Sequence, residues 1–430
     1  MVWKSPNPHT AKEEETAVRV STLLRKLLCV TSLIVTGARF EPAGLIIDVR
    51  PRWKRPRCST CRKPATAYDR RPVRRWKHLA LGTMVLWLQY APRRAQCRRC
   101  GIKIEHVPWA AADRRFSSVL EEMVAYLATA TSRTVVRDLV GINWRTVGSI
   151  VERIVAERLD TTRLGALRDI GVDEFSYRKR HRYLTIVVDH DRRRVIWAGV
   201  GKSGETLRRF FDLIGEQAAH AIENVTMDMA GGYVSVVRER APQANIVFDR
   251  FHVAQLASNA LDEVRRSIVR QLGGSDEART VKNTRWALLK NPDDLSRNQH
   301  RKLCDLQRVH QPLYRAYLLK ESLAGALDYR QPKRARRALD EWLAWASRSR
   351  LAPFLRLART IRTHRDDILR YVSLRLTNAL AEGINNRIRV ISRIAYGFHR
   401  PEALISWIYL CCGGIRLNPA LPNSYPLLLQ

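Results

Sequence analysis

Long apolar segments are scarce in this sequence of 430 residues. The nearest candidate, residues 27–35, is far shorter than the roughly 20 apolar residues that a membrane-spanning helix needs. The first twenty residues contain Glu13, Glu14 and Glu15, a composition unlike that of a secretory signal. We therefore expect a cytoplasmic protein with no membrane partner, whose cysteines stay reduced unless they bind a metal.

Acidic residues are also scarce. The chain has 41 Asp and Glu residues against 76 Lys and Arg residues, which gives a formal net charge of +35. Neutralising nucleic-acid phosphates releases condensed counterions, so this charge favours a polyanionic partner. An anionic membrane surface is the competing partner. It fits less well, because the basic residues are spread along the chain instead of flanking an apolar anchor.

Only eight cysteines are present, and four of them form two Cys-x-x-Cys pairs. Two such pairs supply four thiolates, a ligand set that favours structural zinc and leaves no open position for catalysis. Residues 62–96 separate the pairs, a gap longer than the commonest zinc spacings but sufficient for a ribbon of two or three strands. The four expected zinc ligands are Cys58, Cys61, Cys97 and Cys100.

The cysteine pairs define an expected zinc-ribbon-like domain over residues 51–108. It follows an N-terminal segment, residues 1–50, whose first twenty residues are polar and expected to be loose. A domain of this size has little hydrophobic core. Metal binding should therefore supply much of its folding free energy. Basic residues crowd both pairs, and Arg98 and Arg99 are expected to bind DNA phosphates.

A helix-turn-helix domain is predicted over residues 113–160. Ser118 and Glu121 have the spacing of a capping box that starts the first helix. Two further helices, residues 132–140 and 144–157, flank a tight turn, and Asn143 is suited to cap the last one. This geometry would expose Arg145, Thr146 and Ser149 toward a DNA major groove. The alternative is a helical hairpin with a purely structural role.

The central region predicts three antiparallel strands, a crossover helix and a fourth strand parallel to the first. The expected elements are strands 171–176, 182–189, 194–200 and 224–229 and helix 204–215. This is the ribonuclease-H-like order, in which the first and fourth strands are neighbours. Asp173 and Asp228 lie on those two strands, so their carboxylates should converge at one end of the sheet.

A third acid lies on a predicted helix over residues 378–397. At helical spacing, one face of this helix is polar and the stripe beside it is apolar. The polar face consists of Asn378, Glu382, Asn385, Asn386 and Arg389. An ordinary solvated face is the alternative interpretation.

The order of these elements predicts the domain organisation. We expect a multidomain α/β protein whose core comprises residues 168–255 and 376–415. An all-helical insertion over 256–375 interrupts the core, and a tail over 416–430 follows it.

The ordered set of motifs resembles the ISL3 family of insertion-sequence transposases, which are Asp-Asp-Glu transposases. The resemblance runs from the cysteine pairs to about residue 412. It rests on Gly-Val-Asp173-Glu-Phe, Met-Asp228-Met, Asp249-Arg-Phe-His252-Val, Thr-Asn378 and Glu382-Gly-Ile-Asn385-Asn386-Arg-Ile-Arg389. It implies that the ribbon binds transposon ends and that the helical insertion embraces them.

Three carboxylates brought together repel one another unless cations occupy the site. Oxygen ligands select hard ions, so we expect Mg²⁺ or Mn²⁺, with two ions serving cleavage and then strand joining. Asp173 and Asp228 are the expected shared ligands, and Glu382 completes the second ion site. Asn385, Asn386 and Arg389 are expected to orient Glu382 or the scissile strand.

Three further residues have open roles. Asp249 lies at a strand end. It either supports the site near the metals, or pairs with Arg250, or caps the following helix. His252 follows in the same motif, and a satisfied structural histidine is the ordinary interpretation. Trp286 lies among basic residues and can stack on an unpaired base, although a core tryptophan on an amphipathic helix is the ordinary alternative.

The function that unites these features is transposition. A transposase would bind the terminal inverted repeats of its insertion sequence on double-stranded DNA, cleave there and join the freed 3′ ends to target DNA. A DNA-binding regulator with an inert core predicts a lost carboxylate, and none is missing. A nuclease without strand transfer would not need two end-reading modules. Concerted cutting of two ends favours a homodimer or larger assembly, in a bacterial cytoplasm at the nucleoid.

Overall fold

The computed structural model describes residues 20–178, 182–229 and 231–421. The chain divides into two units, one formed by Met1–Glu157 with Arg416–Gln430 and the other by Arg158–Ile415. Residues 1–19, which we expected to be loose, and residues 422–430 of the expected tail lie outside the described residues. None of the described helices combines the length and the apolar character that a bilayer crossing requires.

The described part of the first unit, from residue 20 onward, begins with one helix and seven strands. These are α1 (Val20–Leu27), β1 (Leu33–Glu41), β2 (Gly44–Pro51), β3 (Thr66–Arg70), β4 (Arg74–Leu81), β5 (Met84–Tyr90), β6 (Arg93–Cys97) and β7 (Gly101–Ile104). They form a four-stranded sheet in the order β1-β2-β5-β4 and a three-stranded sheet in the order β3-β6-β7.

The four-stranded sheet joins the N-terminal segment to the cysteine region. β2 pairs with β5 in parallel, Leu45 lying opposite Leu86. A domain boundary after residue 50 therefore falls inside this sheet. The long gap between the cysteine pairs has the same explanation, because the β4–β5 hairpin leaves the three-stranded ribbon and joins β2. Apolar side chains of the sheet bury Trp76 and Trp109 in the core of this unit.

Three helices follow, α2 (Ser118–Ala130), α3 (Arg133–Val140) and α4 (Trp144–Arg158). The predicted capping box is wrong, because the cap of α2 is Ser117, whose hydroxyl accepts a hydrogen bond from the Leu120 N–H. His78 hydrogen-bonds the same hydroxyl over 2.6 Å and so fixes the helix start one residue early. Glu121 instead forms an ion pair with Arg153.

The turn between α3 and α4 follows the sequence prediction. Gly141 has a φ of 63°, a left-handed conformation that glycine adopts without strain. The Asn143 side chain accepts a hydrogen bond from the Arg145 N–H over 2.9 Å and so caps α4. One face of α4 is buried, namely Val147, Ile150, Val151 and Ile154. In the C-terminal segment, the Asn418 N–H donates to Glu122 Oε1 over 2.6 Å.

The second unit contains a five-stranded sheet in the order β10-β9-β8-β11-β12. β8 pairs antiparallel with β9 and parallel with β11, so the predicted adjacency of the first and fourth strands is confirmed. The strands are β8 (Asp169–Arg178), β9 (Arg182–Asp189), β10 (Arg194–Val200), β11 (Asn224–Met227) and β12 (Asn245–Phe248).

The helices of the second unit lie on the sheet and after it. Two precede the last strand, α5 (Gly204–His220) and α6 (Gly231–Arg240). Eight lie between β12 and residue 375, α7 (Arg250–Gln271), α8 (Asp276–Asn283), α9 (Arg285–Leu289), α10 (Arg297–Val309), α11 (Gln311–Asp328), α12 (Pro332–Arg348), α13 (Ala352–Thr363) and α14 (Arg365–Leu374). The last two are α15 (Ala379–Ile394) and α16 (Pro401–Cys412).

The helical segment and the sheet share one apolar core. Buried residues of β8, β11 and β12 belong to the same cluster as Trp342 of α12 and Phe354 of α13. α14 packs on β12, α15 on β8 and β9, and α16 on β10. The helix that carries Glu382 is therefore held directly against the strand that carries Asp173.

Trp286 is not a core residue. Its side chain is 60% exposed, and the Arg285 guanidinium lies over its ring, 5.1 Å from the centroid. The short helix α9 buries Ala287 and Leu288 instead. The alternative of a core tryptophan is therefore wrong, because the two smaller neighbours of Trp286 occupy the buried face of this helix.

Candidate functional site

The strand register brings two acids to the same level of the sheet. Thr226 of β11 lies opposite Gly171 of β8. Asp228, two residues beyond Thr226, is therefore level with Asp173, two residues beyond Gly171. Both side chains lie at the end of the sheet where β11 stops.

Glu382 approaches these acids from α15. Its carboxylate lies within 4.8 Å of ligand atoms of Asp249 and His252. His252 Nε2 is in turn 3.9 Å from Asp228 Oδ2. We call Asp173, Asp228, Asp249, His252 and Glu382 the acid cluster. Its members come from β8, the ends of β11 and β12, α7 and α15.

Asp249 has a defined structural role within the acid cluster. Its Oδ1 accepts a hydrogen bond from the Phe251 N–H over 2.8 Å and so caps α7. Its Oδ2 accepts one from the Asn378 N–H over 2.9 Å, at the residue that precedes α15. Arg250 pairs with Asp328 instead. Of the alternatives that the sequence left open, the structure contains two. Asp249 caps α7 and ties the starts of α7 and α15 together, and its carboxylate also lies beside His252 and Glu382.

Hydrogen bonds to both oxygens fix the carboxylate of Asp173. Its Oδ1 accepts a hydrogen bond from the Glu174 N–H and its Oδ2 one from the Asn385 side chain, each over 2.7 Å. Burial raises the pKa of Asp173, and the negative charges of Asp228 and Glu382 raise it further, against the opposing effects of the Glu174 N–H and His252. The acids therefore interact electrostatically, as carboxylates that share a site must.

The expected supporting residues of α15 differ in their surroundings. Asn385 is buried and its amide also donates to the Glu174 carbonyl over 3.3 Å, so it contacts the Asp173 strand. Asn386 and Arg389 are exposed and hydrogen-bond each other. These two side chains lie one turn apart on the same helix face as Glu382, where a bound strand can reach them.

Two buried polar atoms at the acid cluster have no partner among the described residues, Nδ1 of the cluster residue His252 and Oδ1 of Asn385, whose amide donates to Asp173. A buried polar atom without a partner costs about 1–3 kcal/mol, so such atoms mark a site that is completed by something else. The carboxylate oxygens of the cluster are the donors that Mg²⁺ and Mn²⁺ prefer. The residues present therefore fit a hard divalent cation.

His252 is the cluster residue that sequence reasoning underestimated. The ordinary interpretation of a lone histidine is structural, yet its ring lies near both Asp228 and Glu382. The available signal was its position in the first turn of a helix that starts directly at the end of β12. Helix starts at this edge of a sheet are where sites are commonly built.

A buried polar chain holds the start of α15. The Thr226 hydroxyl donates to Asn378 Oδ1 over 3.0 Å, and His190 Nε2 lies 2.8 Å from the same hydroxyl. Because the hydroxyl has one proton, His190 must donate to it from Nε2. Gly171 leaves room for the chain, since a Cβ there would lie 2.8 Å from Val188 Cγ2 and 3.0 Å from Thr226 Oγ1.

We expect Thr226→Val to lower the free energy of unfolding by about 2–4 kcal/mol, since Asn378 and His190 each lose a buried partner without a change in volume. Urea denaturation measures this loss. Thr280→Val is the matched control, because the Thr280 hydroxyl is exposed and donates to the Asp276 carbonyl of its own helix. An equal effect of both substitutions would show that the buried chain contributes nothing.

The four paired cysteines form a second site, in the first unit. Their sulfur atoms all lie within 4.8 Å of one another, and Cys61 Sγ is 3.6 Å from Cys97 Sγ. Tetrahedral zinc with bonds of about 2.3 Å places its sulfur ligands roughly 3.8 Å apart. All four are free thiols, namely Cys58, Cys61, Cys97 and Cys100. The predicted cysteine site is thus assembled with a spacing that zinc fits.

Backbone N–H groups prepare this site for a metal. Burial alone would raise the pKa of Cys58, but the N–H groups of Cys61 and Thr60 lower it to about 6. The N–H groups of Arg99 and Cys100 lower the pKa of Cys97. Burial and the neighbouring sulfur atoms raise the pKa of Cys100 to about 12. Thiolates are the form that binds zinc, so one cysteine of each pair, Cys58 and Cys97, favours the ligand state.

A basic groove adjoins the cysteine site. Arg98 and Arg99 are exposed and line a cavity of about 740 Å³ together with Lys54, Arg55 and Lys63. On the helix-turn-helix, Arg145 and Ser149 are exposed at the start of α4, and Thr146 is half-buried. The Arg145 guanidinium lies 5.5 Å from the Trp144 ring centroid. Both sets of residues that were predicted to contact DNA are therefore accessible.

Comparison with known proteins agrees with these features. Residues 170–408 match a family described as transposase, of the ISL3 type, and residues 105–155 match the helix-turn-helix domain of transposase family ISL3. The chain is 39% identical over 412 residues to the transposase for insertion sequence element IS1557 of Mycobacterium tuberculosis, covering 90% of this chain and 92% of the relative.

A second relative is the transposase for insertion sequence element IS1001 of Bordetella parapertussis. It is 32% identical over 361 residues, which are 83% of this chain and 89% of the relative. The matched regions contain the helix-turn-helix, the five-stranded sheet, the helical segment and the acid cluster. Family membership of this kind implies a DNA-binding enzyme that cleaves and transfers DNA. The chain belongs to the ISL3 family of transposases.

Proposed function

We propose that this transposase binds the terminal inverted repeats of its insertion sequence, cleaves the DNA there and transfers the freed ends to target DNA. The observation that carries the proposal is the convergence of Asp173, Asp228 and Glu382. Asp173 lies on β8, Asp228 directly follows the neighbouring parallel strand β11, and Glu382 is on α15, which packs on β8. The strand order supports a ribonuclease-H-like core.

The acid cluster would hold two divalent cations. Asp173 and Asp228 are the proposed shared ligands, Glu382 belongs to the second ion, and Asp249 supports the site. When bound, Mg²⁺ or Mn²⁺ would activate the attacking hydroxyl and stabilise the leaving 3′ oxygen. The chain fixes the acids in advance, since Asn385 and the Glu174 N–H hold Asp173.

Two modules would recognise the transposon ends. The zinc-ribbon-like module, with zinc on Cys58, Cys61, Cys97 and Cys100, presents Arg98 and Arg99 to phosphates. In the helix-turn-helix, α4 would enter the major groove with Asn143, Arg145, Thr146 and Ser149 at its leading end. We further propose that concerted cutting of two ends is performed by a dimer or larger assembly on DNA, in the bacterial cytoplasm at the nucleoid.

The proposed recognition helix makes a specific prediction. Arg145→Ala should reduce the preference for the inverted repeat over a scrambled duplex by about 5- to 100-fold, because a base-edge contact carries discrimination. Fluorescence anisotropy with both duplexes measures the ratio. Arg98→Ala is the contrasting variant, and we expect it to weaken binding to both duplexes equally. Unchanged preference in the Arg145 variant would remove α4 from base recognition.

The decisive experiment uses the inverted repeats that flank the gene, end-labelled and incubated with purified, zinc-loaded protein and Mg²⁺ or EDTA. Mg²⁺-dependent cutting at the repeat boundary, with joining to a target plasmid, is the expected result. Specific binding without cutting would favour a DNA-binding regulator with an inert core. Cutting without joining would instead favour a nuclease.

A further inference from the structure

An exposed aromatic ring lies beside the acid cluster. Phe251 occupies the first turn of α7, between Asp249 and His252, and its side chain is 60% exposed. Its ring meets the His252 ring edge to face, with centroids 5.9 Å apart and an interplanar angle of 81°. His252 is itself 3.9 Å from Asp228. The apolar ring is therefore one side chain away from the acids.

The other residues of this helical turn are all engaged within the chain. The Asp249 carboxylate accepts the Phe251 and Asn378 N–H groups. Arg250 pairs with Asp328 over 2.5 Å, and Val253 is buried. The backbone of Phe251 is held by the Asp249 cap, so its exposed ring is carried on a fixed support. An isolated exposed apolar residue needs no explanation, but a supported ring at the edge of a phosphodiester-cleaving site is a candidate for substrate contact.

We propose that Phe251 is a nucleobase-stacking subsite, on which the base next to the scissile phosphate stacks when the DNA enters the acid cluster. This inference rests on the proposed function. Every base has a π-face, so an aromatic ring holds a base without regard to sequence. A base adjacent to the cleaved phosphate would lose a duplex neighbour if the strands separate beside the acids. An exposed ring at the rim offers the separated base a new stacking partner.

The charge around Phe251 supports this assignment. The acid cluster repels DNA in the absence of cations, so that phosphate contacts there cannot by themselves position the strand. Stacking on a neutral ring requires no counter-charge. It would thus help to place the strand beside the acids even when no cation is bound.

The test combines a protein substitution with a DNA lesion. Cleavage of inverted-repeat duplexes is measured with the natural base or an abasic site at each nucleotide flanking the cut, using wild-type, Phe251→Ala and Phe251→Trp proteins. At one flanking position we expect the abasic site and Phe251→Ala each to lower kcat/KM by about 5- to 100-fold, as loss of one base–aromatic stack would. Combined, they should give no further loss, and Phe251→Trp should restore activity on the natural base.

Trp286→Ala is the comparison variant, because that ring is also 60% exposed in the same unit. We expect Trp286→Ala to change kcat/KM by the same factor on the natural duplex and on the abasic duplex. The proposal is overturned if the Phe251→Ala protein cleaves at the wild-type rate, if its loss multiplies with that of the abasic site, or if the non-additivity appears with Trp286→Ala. Failure of the wild-type protein to cut any duplex would instead contradict the proposed function.

Discussion

Asp228→Asn should lower the rate of strand cleavage by about a thousandfold or more, because several kcal/mol of metal-dependent charge stabilisation are lost with one carboxylate charge. Binding to the transposon ends should remain, since the substitution hardly changes the volume of a side chain that is 49% exposed. The amide oxygen can still accept the Met229 N–H that Asp228 Oδ1 accepts over 2.6 Å. The measurement is single-turnover cleavage of end-labelled repeats in Mg²⁺, alongside a gel-shift assay in EDTA.

Asp191→Asn is the matched control for this experiment. Asp191 lies in the turn after β9, at the opposite end of the sheet, and pairs with Arg168. The Asp191→Asn substitution removes the same charge outside the acid cluster, and we expect this variant to cleave at the wild-type rate. Glu382→Gln should behave like Asp228→Asn. Wild-type cleavage by the Asp228 variant would discard the proposed site, whereas equal losses in the Asp191 variant would show that net charge alone is responsible.

Cys58→Ser should abolish high-affinity end binding, and chelation of zinc from the wild-type protein should do the same. Structural zinc supplies roughly 10–16 kcal/mol of folding free energy in small metal modules, so loss of one ligand unfolds the ribbon. The β3-β6-β7 sheet has few other sources of stability, because β3 is exposed along its whole length. Zinc content after dialysis and binding to the repeat duplex are the two measurements.

Cys304→Ser provides the control, since Cys304 is an exposed thiol in α10 and belongs to no cysteine pair. We expect it to retain both zinc and binding. Phe251 and the acid cluster lie in the other unit, so the Cys58 variant should keep the unfolding transition of that unit. A Cys58 variant with full zinc content and unaltered binding would show that the cysteines do not form the expected site.

Four strands of the second unit, β8 to β11, and the helices α5 and α15 were predictable because their signals are local. Alternating and helical apolar periodicities place β9 and β10 within their observed bounds, and turn residues separate them. The order of these elements also predicts that β8 and β11 are neighbours. The cysteine pairs are equally local, since two residues between cysteines bring both thiols to one turn.

Only the tertiary structure decided which side chains from distant parts of the sequence lie together. His252 joins Asp228 and Glu382, Asp249 fastens the starts of α7 and α15, and the β4–β5 hairpin leaves the ribbon for another sheet. Phe251 stands at the rim of the acids for the same reason. Periodicity within an element states which face is buried but not which other element covers it. The sequence by itself therefore determined the elements and the candidate acids, whereas packing across more than a hundred residues decided which side chains surround them.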